Sequence, residues 1–512
     1  MNKRGFTLVE LIGTIVILLV LSLLVFPNLL NLIKNSKKDI STSTKDFIYG
    51  QAKSYIYDNV NSYTLKEGNI YCIGLKDLVS KNYLNTPLKD AESGNDIDLS
   101  KQIEVKVNNN DYSYELVETC TPKSYYTDNS GANTPKLFNN MVPIKYEYEK
   151  WIVANTSEKW YDYDAKEWAN AVVLNGGVTK NVGDEITEDE VVQWYVWIPR
   201  YKYTIFNGNN GSAKEQLIDV TFESGTNRTG TVTCSDNADG SETCTDNVYG
   251  NVTNGKSTYT HPAFKFGNTE LTGFWVGKFE VSGSYEQDGY TLINIKPNVP
   301  SLRGKTVSQF FESIQYTNMQ MMTGADGHMM KNMEWGAVAY LKQSKYGLGT
   351  TDIAINDNSR FYTGGGQSDA YKTNVAQSTT GNIYGVYDMS GGAYEYVMGN
   401  IKNSSNAFYS SKAGFATAPD AKYYDSYKYD SSSNTTHARG KLGDATKETL
   451  ATFGSGTGGW YSDYAGFPYS SHSWFVRGCN YYYGTFAGVF YFSGVSGGGD
   501  SNDSARAVLS AQ

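Results

Sequence analysis

Between Leu11 and Leu32 the chain runs for 22 residues without a charge, and no other feature constrains its architecture as strongly. Coiled into a helix, such a run reaches about 33 Å, enough to span the hydrocarbon core of a bilayer. Within lipid every backbone N–H and C=O must find its partner inside the segment, so a helix is the form open to a single run of this kind. Lys3 and Arg4 precede it and set its N-terminus on the cytoplasmic side. The stretch is longer than the apolar part of a signal peptide, and no A-x-A cleavage site follows it. An anchored chain displaying the rest of its residues beyond the membrane is the expectation.

The order Lys3-Arg4-Gly5-Phe6-Thr7-Leu8-Val9-Glu10 resembles the processing motif of type IV prepilins. The resemblance implies a leader over 1–5, cut by a prepilin peptidase between Gly5 and Phe6, with Phe6 then methylated. It also implies a transmembrane and assembly helix over 6–33, in which Pro27 matches the family's kink proline. Glu10 falls inside that apolar helix, where a lone carboxylate is costly unless paired. By resemblance it meets the terminal amine of a neighbouring subunit during pilus assembly. The partners implied are the peptidase, other pilin subunits and the membrane.

Residues 34–120 are expected to form a pilin-like head. A polar helical stretch runs from Lys34 to about Ser62, with Phe47, Ile48, Tyr55 and Ile56 at spacings compatible with one face. Alternation over Ile103–Val107 and Tyr112–Val117, around a turn at Asn108–Asp111, predicts a hairpin. Cys72 and Cys120 flank this region, and a bridge between them would stabilise by about 4 kcal/mol through loop closure. Cys234 and Cys244 bracket a second hairpin tip with an Asp-Gly turn, where a bridge would contribute roughly 3 kcal/mol. Cys479 is left over, and five cysteines admit other pairings. Ser235, Asn237, Asp239 and Asp246 have a spacing faintly like a calcium loop, although solvated turn chemistry explains it equally well. Residues 121–141, punctuated by Pro122, Gly131 and Pro135, predict a linker.

From residue 142 onward the chain is expected to be β-rich. Val192–Tyr201 predicts a buried strand with Pro199 near its end, and Met329–Leu341 a helix carrying Met330, Met333, Ala337 and Leu341 on one face. The 14% aromatic content excludes a disordered chain, and the net charge of −9 argues against nucleic acid as a partner. The chain has 42 Tyr and 51 Gly, an enrichment that describes displayed binding surfaces.

Three stretches, Phe274–Val281, Met333–Tyr340 and Gly385–Tyr396, occur in the order found in formylglycine-generating-enzyme-like domains. The ending Phe475–Cys479 through Ser504–Leu509 resembles the closing strands of that family, departing at Cys479, Ser504 and Ala505. The resemblance implies a C-type-lectin-like fold over 142–512 and an α+β chain overall. It does not bring catalysis with it. The oxidase members need paired cysteines, and only Cys479 lies in the closing segment. His261, His328, His437 and His472 lack the ligand spacing of the iron-dependent members. The Gly-x-Ser-x-Gly string at Gly494–Gly498 and the Gly-x-Gly-x-x-Gly string at Gly454–Gly459 lack the settings that would give them chemistry. Glu395 could help hold a structural calcium as in some relatives, although Gly392 replaces the family's Asn. A non-enzymatic chain without a cofactor, that structural calcium aside, is the expectation.

The 25 residues from Cys479 to Asp503 contain no Lys, Glu, Gln, Met, Trp, His, Arg, Leu, Ile or Pro. Composition alone would place about four Lys, Glu, Gln, Met or Trp in such a window. What remains is reachable from Asn-type codons by changing adenines, and the segment resembles the variable region of retroelement-diversified proteins. A plain Gly- and Tyr-rich loop would have the same composition. Phe475-Val476 and Val508-Leu509 read as buried strands fixing its ends, with Ala487, Val489, Phe490 and Phe492 facing inward. An exposed ligand-binding face is then expected from Asn480, Tyr481, Tyr482, Tyr483, Thr485, Phe486, Tyr491, Ser493, Asp500, Asn502 and Asp503. The function these features imply is a minor or tip pilin acting as an adhesin at the cell surface, binding an external protein or carbohydrate. The alternatives are a pseudopilin of a secretion or DNA-uptake system, or an oxidoreductase of the formylglycine-generating type.

Overall fold

The computed structural model describes residues 40–59, 63, 68–108, 111–206, 214–245, 257–366 and 370–511. Gly5, Phe6, Glu10 and the apolar run of 11–32 lie outside the described residues. Among the described residues, no helix is long and apolar enough to cross a membrane. The chain divides into two units, Met1–Ser124 and Tyr125–Gln512.

In the first unit the helix Thr42–Asp58 buries Ile48, Ala52 and Ile56, four residues apart on one face. Phe47, expected on that face, is exposed: one residue's turn of the helix carries it about 100° away from Ile48. The buried face packs with Leu75, Leu78, Ile103 and Val105 into one core. The last two belong to an antiparallel sheet in the order Ile70–Gly74, Gln102–Asn108, Asp111–Val117. Ile103, Val105 and Val107 alternate with half-buried neighbours, as a one-sided strand requires. The hairpin pairs Asn108 with Asp111, and a disulfide joins Cys72 to Cys120 across 48 residues.

The second unit begins inside the expected linker. Ala132 and Phe138 belong to its core, and the buried Asn133 amide donates to the carbonyls of Glu223, Gly225 and Thr272 at 2.9, 3.1 and 2.9 Å. Residues 125–141 are therefore packed structure rather than a linker. Their turn-forming composition marks irregular backbone correctly, but a buried asparagine supplies the hydrogen bonds that such backbone needs inside.

The main sheet has eight strands, all antiparallel to their neighbours. Their order is Ala325–Met329, Ala507–Ala511, Gly273–Gly277, Val191–Pro199, Asn170–Leu174, Met141–Glu147, Lys150–Val153 and Glu185–Ile186. Val191–Pro199 is apolar on both faces apart from Gln193 and is buried along nearly its whole length, which places it centrally. The helix expected over Met329–Leu341 spans Asn332–Lys342. It starts later because Ala325–Met329 is drawn into the sheet and the Glu334 carboxylate accepts from the Lys331 N–H at 2.8 Å, capping the helix there. A five-stranded sheet is built on Tyr394–Ile401, flanked by Asp425–Tyr427 and Trp474–Arg477, with Phe492–Val495 beyond the latter and Asp503–Ala505 parallel to Tyr394–Ile401.

Arg506 stands where the chain passes from one sheet to the other. Its guanidinium is fully buried, forks onto the Glu395 carboxylate, and donates to the carbonyls of Gly277 at 2.8 Å and Tyr387 at 2.9 Å.

A candidate binding surface on residues 479–503

The segment leaves the five-stranded sheet from a fixed point. Trp474–Arg477 is buried at every residue, and Arg477 donates to the Ala445 carbonyl at 3.0 Å and the Asn332 side chain at 3.2 Å. Gly478 and Cys479 then take left-handed φ values of 75° and 60°, turning the chain sharply outward. A side chain at Gly478 would press on the Trp335 ring, 3.3 Å from its Cβ position. Cys479 is buried, and burial pushes its thiol up to about 11, which keeps it protonated and unreactive at neutral pH.

Asn480 builds the apex. Its Oδ1 accepts from the Tyr482 N–H at 3.2 Å and its carbonyl from the Tyr483 N–H at 3.4 Å, while the Tyr481 N–H donates to the Gly392 carbonyl at 3.0 Å. Tyr482 is 75% exposed, Tyr483 49% and, beyond a short 3-10 turn over Gly484–Phe486, Phe486 43%. Eleven large hydrophobic side chains are exposed among the described residues, and three of them fall within these five positions. Thr485 and Asp500 are also exposed, whereas Tyr481, Ser493 and Asn502 are half-buried.

Three residues expected on the exposed face are buried instead: Asn480, Tyr491 and Asp503. Asn480 turns inward because its amide oxygen organises the turn. Tyr491 lies within the run Ala487–Phe492, buried throughout, and stands between Tyr394 at 5.8 Å and Tyr464 at 5.9 Å. Asp503 begins the strand that pairs with Tyr394–Ile401, and burial pushes its carboxyl up to about 7. Ala487, Val489, Phe490 and Phe492 face inward, as their apolar character predicts.

Residues outside the segment hold it, and the sequence alone did not single them out for that task. The Asp463 carboxylate is buried and accepts from the Phe490 N–H at 2.9 Å. Phe361 meets Tyr481 edge-on at 4.9 Å and is itself covered by the Arg303 guanidinium at 3.8 Å. Tyr482 lies 6.3 Å from Tyr481 and 5.5 Å from Tyr483, which in turn reaches Tyr394 at 6.3 Å. The result is a continuous aromatic ridge with hydroxyl tips; elsewhere in the segment, Asp500 is the exposed charged residue. Such a ridge contributes large rigid contact area and hydrogen bonding at a low cost in side-chain entropy.

The remaining sequence motifs resolve into structure. Ser496 follows the strand Phe492–Val495 and no helix comes after it, and Gly459 leads only into a three-residue turn. Asp239 accepts from the Ser241 N–H at 3.0 Å and from its hydroxyl, holding its carboxyl down to about 2, so turn chemistry occupies the hairpin closed by the Cys234–Cys244 disulfide. Asp246 lies outside the described residues. Both oxygens of Glu395 accept from Arg506, a pairing that does not fit a calcium ligand. The four histidines engage different partners: the Gly443 carbonyl for His261, Glu334 for His328, the Ala465 carbonyl for His437 and Ser471 for His472.

Comparison with known proteins adds one firm assignment. Residues 1–26 match the family described as the prokaryotic N-terminal methylation motif. No curated protein matches the chain. Among solved structures, the Major Tropism Determinant U1 variant is similar to it at 12% identity, over 81% of this chain and 82% of that one, with a TM-score of 0.25. That superposition is too loose to assign a fold or a function.

Proposed function

We propose that this chain is a type IV pilin-like surface subunit, a minor or tip pilin, that binds an external protein or carbohydrate through its C-terminal unit. The methylation motif over residues 1–26 supports the display half of this reading, since it implies processing by a prepilin peptidase and an anchoring apolar helix. The binding half rests on one observation: Tyr482, Tyr483 and Phe486 stand exposed together on a backbone whose flanks are buried and hydrogen-bonded. Exposed aromatics grouped on a rigid frame are the usual anchors of an interface. A C-type-lectin-like fold for this unit, diversification of residues 479–503 and absence of catalysis complete the proposal.

Tyr482→Ala, Tyr483→Ala and Phe486→Ala combined provide the test. Each truncated anchor commonly costs about 2 kcal/mol of binding, roughly thirtyfold in affinity. Attachment of cells displaying the triple variant to host surfaces that retain the parent strain should be lost, while its thermal midpoint stays within a degree or two. Retained attachment by a folded variant would refute the assignment.

A further inference from the structure

A cleft of about 1080 Å³ opens in the C-terminal unit between the disulfide-closed hairpin at 234–244, the turn at 265–269 and residues 420–425. None of its lining residues belongs to the segment 479–503. Its floor includes Lys331, whose side chain is only 8% exposed.

The hydrogen-bonding capacity of this cleft is unevenly used. Asp326 accepts from the Lys422 ammonium at 2.7 Å and the Tyr423 hydroxyl at 3.0 Å. Asp425 accepts from the Met333 N–H and Asp236 from the Lys441 ammonium, both at 2.7 Å. Among the described residues, the Lys331 ammonium has an ion pair with Glu334 but no hydrogen bond of this kind. It sits 5.5 Å from the centroid of the Phe266 ring, and its nearest carboxylate oxygen, on Glu334, is 4.0 Å away. Glu334 is already committed to the His328 ring at 3.0 Å and the Lys331 N–H at 2.8 Å. An ammonium carries three donors, and Lys331 brings its own to the lining of the cleft. What the Lys331 ammonium lacks is a hydrogen-bonding acceptor, and an oxyanion supplies the strongest.

We propose that this cleft binds an anionic saccharide, with a carboxylate or sulfate of the sugar on Lys331 and its hydroxyls along the carboxylate and tyrosine walls. A lone anion would use only the floor, whereas a volume of this size suits a ligand of several rings. Sugar hydroxyls both donate and accept, matching walls on which carboxylates and ammonium groups alternate. Lys265, exposed at the rim, extends the positive side of the cleft. This proposal stands apart from the aromatic ridge.

Calorimetric titration of the full chain in detergent, using hexagalacturonate, an uncharged galactose oligomer and inorganic phosphate, tests it. Hexagalacturonate should bind and the uncharged oligomer should bind at least about tenfold more weakly, the scale of a lost charge-assisted hydrogen bond. Lys331→Met should weaken hexagalacturonate by a similar factor and remain folded in a melting scan. Lys265→Glu, on the exposed rim, should weaken it several-fold, and this variant decides the question if Lys331→Met fails to fold. Absence of hexagalacturonate binding, or equal affinity in the folded variants, would overturn the proposal. Phosphate binding as tightly as hexagalacturonate and displacing it would make this an anion site and overturn the saccharide assignment.

Discussion

At Gly488 a methyl group would come within 2.1 Å of Asp463 Oδ1, and the aspartate is buried with no room granted by solvent. Overpacking of this kind commonly costs 1–3 kcal/mol, so Gly488→Ala should lower stability by about 2 kcal/mol. At Gly484 nothing lies within 4 Å of a Cβ, and only the left-handed φ of 52° opposes a side chain. Gly484→Ala should therefore cost about 1 kcal/mol, the strain of that backbone alone. Urea unfolding of the two variants measures the difference. Equal losses would mean that the Asp463 wall yields. Glycines four residues apart thus have different meanings, one making room for a buried carboxylate and the other shaping an exposed turn. Nothing in the composition of the segment distinguishes them.

Elements whose residues alternate or run apolar were legible in advance: the hairpin around Asn108–Asp111, the strand through Trp194 and Trp197, and the helix containing Trp335. Residues 125–141 were not, because an Asn such as Asn133 looks the same whether it faces water or binds three carbonyls. The candidate surface was partly legible for the same reason. Tyr482 and Tyr491 have identical side chains, and what separates them is the strand entered at Phe492 and the Tyr394 and Tyr464 rings brought in from distant sequence. The strand Asp503–Ala505 carries a testable trace of this burial. The Asp503 carboxyl stands at about 7, against about 4 in an unfolded chain. Below pH 4 both states hold the proton. As pH rises toward 7 the unfolded chain ionises first, so the stabilising contribution of the neutral carboxyl is progressively lost. Asp503→Asn should remove that slope: its thermal midpoint should gain on the parent between pH 4 and pH 8. A constant difference across that range would show that Asp503 does not titrate in the folded chain as its burial requires.

At the scale of the whole chain there are two cores. The smaller one packs behind the helix Thr42–Asp58, and the larger unites the second unit. If the proposed display holds, the chain recovered from its native membrane should begin at Phe6, with a methylated amine, by mass spectrometry. A chain beginning at Met1 would place it outside the pilin pathway. The manner in which the segment 479–503 is fastened has a broader consequence. Its attachments to the frame include the Tyr481 N–H on the Gly392 carbonyl, the Phe492 N–H on the Tyr464 carbonyl and the Tyr394 N–H on the Asn502 carbonyl. All three are main-chain bonds, which every residue other than proline can make in the same way. Positions 482, 483, 485 and 486 can therefore exchange one side chain for another without loosening those attachments. A lineage carrying this chain could change what those positions present one codon at a time, while the architecture beneath is inherited intact.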